Sequence, residues 1–184
     1  LDSIPVHETF HFFNPKAGLF YQLNRTNSLF VSVAVGNREP LRADLKDSKK
    51  WGAKTEIQPE QMIDYELGYR YAEGNFTAGI NLYSMNYNNQ MVQTGRMSDS
   101  GYKLNENVKS SYRRGIELDA GLWMLNKKLK LDGNATLSQN KINDYTTYYD
   151  IYDENWEVVG QKTEFFNSSD ISFSPSVIGS LALT

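Results

Sequence analysis

The sequence predicts an all-β protein: an antiparallel up-and-down meander of about seven strands that forms part of the wall of a transmembrane β-barrel, with long loops on one rim. Three observations predict this fold. Apolar and polar residues alternate with a period of two, short and long connections alternate, and no apolar run approaches the ~20 residues that a membrane-spanning helix needs. The predicted strands are residues 16–23, 28–36, 63–72, 75–86, 114–125, 128–139 and 172–184.

The alternation is clearest in residues 64–71. One side of this stretch is charged or small and the other is apolar or aromatic: Asp64, Glu66, Gly68 and Arg70 against Tyr65, Leu67, Tyr69 and Tyr71. A two-residue period places successive side chains on opposite faces of a strand. In a soluble sheet the apolar face is a core, whereas in an outer-membrane barrel it faces lipid and the polar face lines a wet lumen. The charges assigned to the inward face are Asp64, Glu66, Arg70, Glu117, Asp119, Lys130 and Asp132.

The connections between predicted strands favour the membrane barrel. Short turns at 24–27, 72–75 and 126–128 alternate with long stretches at 37–62, 88–113 and 140–171. This order puts tight turns on one rim and large loops on the other, and loops this long are uncommon in compact domains. The alternative is a soluble β-sandwich that binds glycan or protein, in which the apolar faces would close on each other. No helix longer than one or two turns is predicted, although Pro59 stands near a possible helix start.

Composition narrows the class of protein further. The 184 residues carry 19 basic and 22 acidic side chains, a net charge of −3, so no basic field indicates a nucleic-acid partner. There is no cysteine, which excludes disulfides and thiolate metal sites. Mean hydropathy is −0.56, which a barrel tolerates because only every second strand residue must be apolar. The chain begins at Leu1 and ends at Thr184 within an apolar alternation, so we expect a segment excised from a longer protein.

The N-terminal part of the sequence contains one match to a metal-binding motif. His7, Glu8 and His11 match H-E-x-x-H, which on a helix places two zinc ligands and a general base on one side. Pro5 and Pro15 flank the match, and the residues around it favour extended structure. On a strand the two histidines would lie ~13 Å apart, too far to share a metal. We therefore interpret the motif as a chance match and predict no metal and no cofactor; a zinc peptidase is the alternative it leaves open.

No other pattern indicates an enzyme. Nucleophile-elbow, phosphate-loop, dinucleotide and calcium-loop motifs are absent from the sequence. Glu117 and Asp119 could imitate a glycosidase pair but fit a solvated strand face better. The candidate ligand-binding residues lie in loops and at the rim: Arg38, Arg42, Tyr148, Tyr149, Tyr152 and Trp156. The aromatic run 145–156 could stack on a sugar or flat ligand, but a membrane-interface girdle or a strand extension is the favoured interpretation.

Five segments, in order, resemble the later barrel strands of TonB-dependent outer-membrane receptors. They are Phe13–Leu23, Val35–Pro40 with Arg42–Asp44, Gln58–Glu60 followed by Tyr65–Tyr69, Tyr87–Gly95 and Arg114–Leu118. The resemblance covers residues 10–139 and, more weakly, 172–184.

The resemblance implies a 22-stranded barrel occluded by an N-terminal plug, in the outer membrane of a Gram-negative bacterium. Such receptors actively import siderophores, vitamins, haem or glycans, with energy from the TonB complex. Residues 1–184 would then be a partial barrel segment that lacks the plug and the remaining strands. Its implied partners are membrane lipid, the plug, the TonB complex and a small-molecule or oligosaccharide ligand. Open edges also predict that the isolated chain self-associates.

Overall fold

The computed structural model describes residues 7–51, 56–97 and 103–184, and in them eight strands form one antiparallel sheet. The order is β1 to β7 with each strand beside its neighbour in sequence, and β8 pairs with β6. The elements are β1 (Lys16–Gln22), β2 (Asn27–Arg38), α1 (Arg42–Trp51), β3 (Glu60–Glu73), β4 (Phe76–Met97), β5 (Lys103–Met124), β6 (Leu129–Tyr152), β7 (Val158–Asp170) and β8 (Val177–Leu183). In the part of the chain described, no helix is long and apolar enough to cross a membrane.

The strand register gives the sheet one apolar face. A single row of paired residues crosses seven strands and is aliphatic throughout: Leu19, Val31, Leu67, Leu82, Ile116, Leu137 and Val177. These side chains are between 39% and 75% exposed, so no second layer covers them. The sandwich alternative is therefore wrong, because it requires two sheets that bury such residues between them.

The opposite side of the sheet, called the charged face below, is polar. The row displaced by one residue from the aliphatic row contains Gly18, Ser32, Glu66, Tyr83, Gly115 and Ser138. The charges predicted to face inward lie on this side, where several of them find partners. Asp119 accepts from Arg70 at 3.0 Å, Glu117 accepts from Asn81 at 3.2 Å, and Lys130 pairs with Asp132 at 2.8 Å. The predicted separation of an uncharged face from a charged one is confirmed.

All seven predicted strands are present, but two of the predicted loops are mostly strand. β4 and β5 run through most of 88–113, and β6 and β7 run through most of 140–171. The segments 88–113 and 140–171 still lie at the rim opposite the short turns. Extended hairpins rather than loops therefore form most of that rim, and they raise the number of strands to eight.

The helix α1 was not predicted. Its first turn carries Asp44 and its last turn carries Lys49 and Lys50, the charge order that a helix dipole favours. Leu45 and Asp44 are buried, and the Asp44 carboxylate accepts a hydrogen bond from Asn105 Nδ2 at 2.8 Å on β5. Packing against β5 thus stabilises a ten-residue helix in which seven residues are polar and which would be marginal in isolation. The possible helix start near Pro59, in a stretch too short to predict a helix, is not a helix, since β3 begins at Glu60.

Candidate ligand-binding site on the charged face

The last predicted strand, 172–184, is shorter than predicted, because residues 172–176 are not strand and β8 begins only at Val177. β7 pairs with β6 as far as Asp170 opposite Lys141, and β8 resumes at Val177 opposite Leu137. Six residues, 171–176, therefore face three residues of β6. Pro175 cannot donate to a sheet hydrogen bond, and Phe173 adopts φ +57°, so this stretch cannot continue the ladder.

The strand interruption, residues 171–176, lies over the charged face. Arg113 Nη1 on β5 donates to Ser174 Oγ at 2.8 Å. On β6, Ser138 Oγ donates to the Pro175 carbonyl at 3.2 Å, and Asn140 Nδ2 donates to the Ser174 carbonyl at 3.4 Å. Because these three donors belong to the charged face, the interruption projects to the side that a barrel lumen would occupy.

Two cavities flank the strand interruption, and Arg113 and Phe173 line both. The lower cavity, toward the short turns, has a volume of about 390 Å³ and includes Glu66 and Glu117 in its wall. The upper cavity, toward the long hairpins, has a volume of about 500 Å³. Its side-chain lining is mixed: Gln90, Met91, Val92, Ile142, Tyr145, Thr147, Asp170 and Ile171, among others. Both volumes fall in the range of small-molecule sites, about 300–1,000 Å³.

The charge at the centre of the site is Arg113. Its contacts within the described residues are the Ser174 hydroxyl and the Tyr87 ring, whose centroid lies 5.8 Å from the guanidinium carbon. Neither group is acidic. Asp64 lies in the same row of the sheet as Arg113, but Met85 stands on the strand between them. Asp64 Oδ1 has no hydrogen-bond partner in the described part of the molecule, so the two opposite charges do not satisfy each other.

A small apolar cluster supports the upper cavity. Val108, Ile142 and Ile171 are buried together, with Val92 and Tyr145 packed against them. This cluster joins β4, β5 and β6 to the first residue of the strand interruption. It fixes the position from which the fully exposed Phe173 ring projects.

A larger hollow, about 660 Å³, lies across the apolar face and is lined by Leu19, Val31, Leu67 and Leu82 among others. Its lining is almost entirely apolar. A specific ligand site needs a few convergent polar groups to orient its ligand. This hollow belongs to the surface that would meet hydrocarbon, and we do not treat it as a ligand site.

Arg38 and Arg42, predicted from sequence, lie at the start of the connection between β2 and β3. Arg38 Nη2 pairs with Glu60 Oε1 at 2.6 Å, and the same oxygen accepts from the Met91 backbone N–H at 2.5 Å. Arg38 thus ties β2 to β3 and β4. Arg42 is exposed as the first residue of α1.

The predicted aromatic residues lie on the β6–β7 hairpin, which is a strand extension, as the favoured interpretation expected. Tyr152 and Trp156 come together at its tip, with ring centroids 6.2 Å apart, and Trp156 is 82% exposed. Asp153 shapes the turn, because its Oδ1 accepts from the backbone N–H groups of Asn155 and Glu157. Tyr148 and Tyr149 lie further down β6. No described contact joins these four aromatic residues to Arg38 or Arg42.

The β6–β7 hairpin is fastened to the end of β4. Tyr145 Oη donates to the Gln93 carbonyl at 3.0 Å, and Thr147 Oγ1 donates to the Thr94 carbonyl at 2.9 Å. Gly95 then passes beside the Tyr148 backbone with φ +83°, where a Cβ atom would lie 2.4 Å from the Tyr148 carbonyl oxygen. The hairpin is therefore held in a defined position above the site.

His7, Glu8 and His11 lie in an irregular segment before β1, so the H-E-x-x-H match has no helix to support it. Glu8 Oε1 instead pairs with Lys49 Nζ of α1 at 2.7 Å. Within residues 7–51, 56–97 and 103–184, no group of three His, Cys, Asp or Glu side chains is arranged to hold a metal ion.

Sequence reasoning missed Arg113 and Phe173. Arg113 precedes an alternating stretch and carries no motif, and Phe173 was assigned to a continuous strand. The available signal was Pro175, because a proline inside a predicted strand argues for a break in the ladder.

Comparison with known proteins agrees with this architecture. A family model described as "TonB dependent receptor-like, beta-barrel" matches residues 5–184. No curated protein matches the chain significantly.

Two of the solved structures that are similar in fold are metal transporters by name. The FrpB iron transporter from Neisseria meningitidis (F3-3 variant) is 17% identical with a TM-score of 0.56, over 77% of this chain and 24% of that one. The copper transporter OprC is 17% identical with a TM-score of 0.57, over 91% of this chain and 30% of that one. The chain thus spans between about a quarter and a third of the length of these transporters. By the match over almost its whole length, the chain belongs to the TonB-dependent receptor-like β-barrel family.

Proposed function

We propose that this chain is a wall segment of an outer-membrane TonB-dependent receptor that actively imports a scarce nutrient in a Gram-negative bacterium. The observation that carries the proposal is the exposed aliphatic row from Leu19 to Val177 beside a polar row one residue away. A sheet with those two faces is stable where hydrocarbon meets one side and water meets the other. Membership of the receptor family supports the same conclusion.

The proposed partners follow from this role. Lipid would cover the apolar face, and a plug domain and the TonB energy-coupling complex would act on the complete receptor. The two similar transporters carry iron and copper by their names, whereas siderophores, vitamins, haem and glycans all remain candidate cargo for this chain. Arg38 and Arg42 on one connection, and Tyr148, Tyr149, Tyr152 and Trp156 on the β6–β7 hairpin, are the proposed first ligand contacts.

Deletion of the full-length receptor gene in the parent bacterium tests the transport role. Growth would be compared with iron, cobalamin, haem or complex glycan as the limiting nutrient. We expect a defect with one nutrient, restored by the intact receptor but not by one that lacks the segment that couples to TonB. Normal growth of the deletion strain on all four, or full rescue by the uncoupled receptor, contradicts the proposal.

A matched pair of tryptophan variants tests the proposed contacts on the hairpin. Trp156→Ala removes the exposed ring at the tip, so the nutrient concentration for half-maximal growth should rise several-fold. Trp123→Ala is the control, since Trp123 lies near the short-turn rim and contacts Lys130. Equal effects of both substitutions would show that the hairpin tip has no special part in capture.

A further inference from the structure

We propose that Arg113 and Phe173 form a binding subsite, in the upper cavity, for a ligand that carries a carboxylate on a flat aromatic body. The inference rests on the proposed transport function and names the chemical class of its cargo. Within the described ranges, Arg113 has no acidic partner and the Phe173 ring is fully exposed.

The guanidinium of Arg113 supplies the positive charge of the subsite. It donates to Ser174 Oγ and lies over Tyr87, which leaves N–H groups for a further acceptor. Arginine binds carboxylates through two parallel hydrogen bonds, and such charge-assisted bonds are stronger than neutral ones. A carboxylate is therefore the group that completes the coordination of Arg113.

The charges around the two cavities select the upper one. Glu66 and Glu117 line the lower cavity and would repel an anion. Asp170 is the acidic residue that lines the upper cavity, and its carboxylate pairs with Lys141 Nζ at 2.8 Å. An anion in the upper cavity thus meets Arg113 without an unpaired negative charge opposite it.

Phe173 supplies the apolar surface of the subsite, because it lines the upper cavity and is fully exposed. Its backbone is held on both sides, by Ile171 in the buried cluster and by the bond from Asn140 Nδ2 to the Ser174 carbonyl. An exposed aromatic ring and an arginine that line the same cavity offer one stacking surface and one charge. A ligand with an aromatic ring and an attached carboxylate matches both.

The competing occupant for Arg113 is a carboxylate of another part of the receptor, such as the plug. The two cases differ in what the aromatic ring does. An internal ion pair needs the guanidinium alone, whereas the proposed subsite needs the charge and the ring together. The test therefore varies both groups and measures binding separately from stability.

The test uses the full-length receptor in lipid nanodiscs, with benzoate as the probe and benzyl alcohol as its uncharged analogue. Binding would be measured by ligand-observed NMR titration, and stability by thermal unfolding of the same samples. Arg113→Gln is paired with Arg114→Gln. Arg114 is the next residue but faces the opposite side, where it donates to Asn86 Oδ1 at 3.1 Å and lies over Tyr112. Phe173→Ala is paired with Phe165→Ala, another exposed phenylalanine, on β7.

We expect wild-type receptor to bind benzoate at least about tenfold more tightly than benzyl alcohol, as loss of a charge-assisted hydrogen bond predicts. Arg113→Gln and Phe173→Ala should each weaken benzoate binding, whereas both controls should leave it unchanged. Absence of benzoate binding, equal binding of the two probes, or equal losses in targets and controls overturns the subsite. Lower stability of Arg113→Gln with unchanged benzoate binding assigns Arg113 to an internal ion pair and also overturns it.

The comparison of the two probes needs no variant, so it decides the matter even if Arg113→Gln fails to fold. The two proposals also fail separately. A receptor that supports nutrient-dependent growth but does not bind benzoate contradicts the subsite alone. A receptor that binds benzoate but whose deletion has no growth effect contradicts the transport role alone.

Discussion

The guanidinium of Arg70 reaches across an intervening strand to the carboxylate of Asp119, with Nη1 3.0 Å from Oδ1 and 3.1 Å from Oδ2. Gly79 lies between them in the sheet, paired with Arg70 on one side and with Asp119 on the other. A Cβ atom on Gly79 would lie 2.4 Å from Asp119 Oδ1 and 2.9 Å from Arg70 Nη1. The missing side chain of Gly79 thus makes room for an ion pair that spans three strands on the charged face.

Gly79→Ala should break this ion pair while leaving the backbone in place, because the atoms it displaces are the ends of flexible side chains. Both partners are about half exposed, so the loss should be small, at most about 1 kcal/mol. Asp119→Asn should cost a similar amount, and the double variant should cost no more than either single one. Urea unfolding of the receptor in lipid bilayers measures these values. Additive losses would mean that Gly79 and Asp119 act independently.

Gly95→Ala should loosen the β6–β7 hairpin. Alanine at positive φ costs about 1–2 kcal/mol, and the new Cβ would also strike the Tyr148 carbonyl oxygen, which is backbone and cannot move aside easily. We expect faster amide hydrogen exchange at residues 145–148. Gly160→Ala is the control, because its Cβ would meet only Ile151 Cδ1 at 4.0 Å. Unchanged exchange in Gly95→Ala would show that the hairpin does not depend on this close approach.

Leu118→Arg should destabilise the membrane-inserted receptor by about 2–4 kcal/mol, the cost of an arginine near the bilayer midplane. Leu118 pairs with Ile80 and Ala135 in the apolar face. Glu117→Arg, one residue away, places the same side chain on the charged face and should cost far less. Unfolding in bilayers compares the two variants directly, and equal costs would argue that both faces meet the same environment.

The isolated 184-residue chain should self-associate in detergent-free buffer. β1 lies at one edge of the described sheet and β7 and β8 at the other, so hydrogen-bonding groups are available on both sides. The aliphatic row adds an exposed apolar surface. Light scattering across a concentration series checks this expectation, and a monodisperse monomer would contradict it.

A strand with one apolar face can be predicted from its sequence. In β5 the stripe of Ile116, Leu118, Ala120 and Leu122 predicted both the strand and the face it presents. Above this band the same strand was missed, because residues 103–113 show no two-residue apolar alternation: Leu104, Val108 and Tyr112 are separated by polar residues. Pairing in the hairpin and the burial of Leu104 and Val108 keep this part extended. The α1 helix was missed for a related reason: its stability comes from the burial of Asp44 and Leu45 against distant residues.

The candidate site depends even more on distant pairing. The strand interruption, residues 171–176, lies opposite only three residues of β6, and β6 is about 30 residues earlier in the chain. Pro175 could have marked the break, but nothing local places Phe173 beside Arg113. In the sequence, candidate residues can be chosen by their side-chain chemistry alone. These residues, such as Arg38 and Trp156, lie at the rim instead.

Cysteine scanning of β5 tests the central claim most directly, because the chain contains no cysteine of its own. Single cysteines at 116–122 in a full-length receptor with any other cysteine replaced by serine, spin-labelled in bilayers, would be probed with oxygen and with a water-soluble nickel chelate. Labels at 116, 118, 120 and 122 should respond to oxygen, and labels at 117, 119 and 121 to the chelate. A uniform response along the strand would contradict the account, since both faces would then meet one solvent.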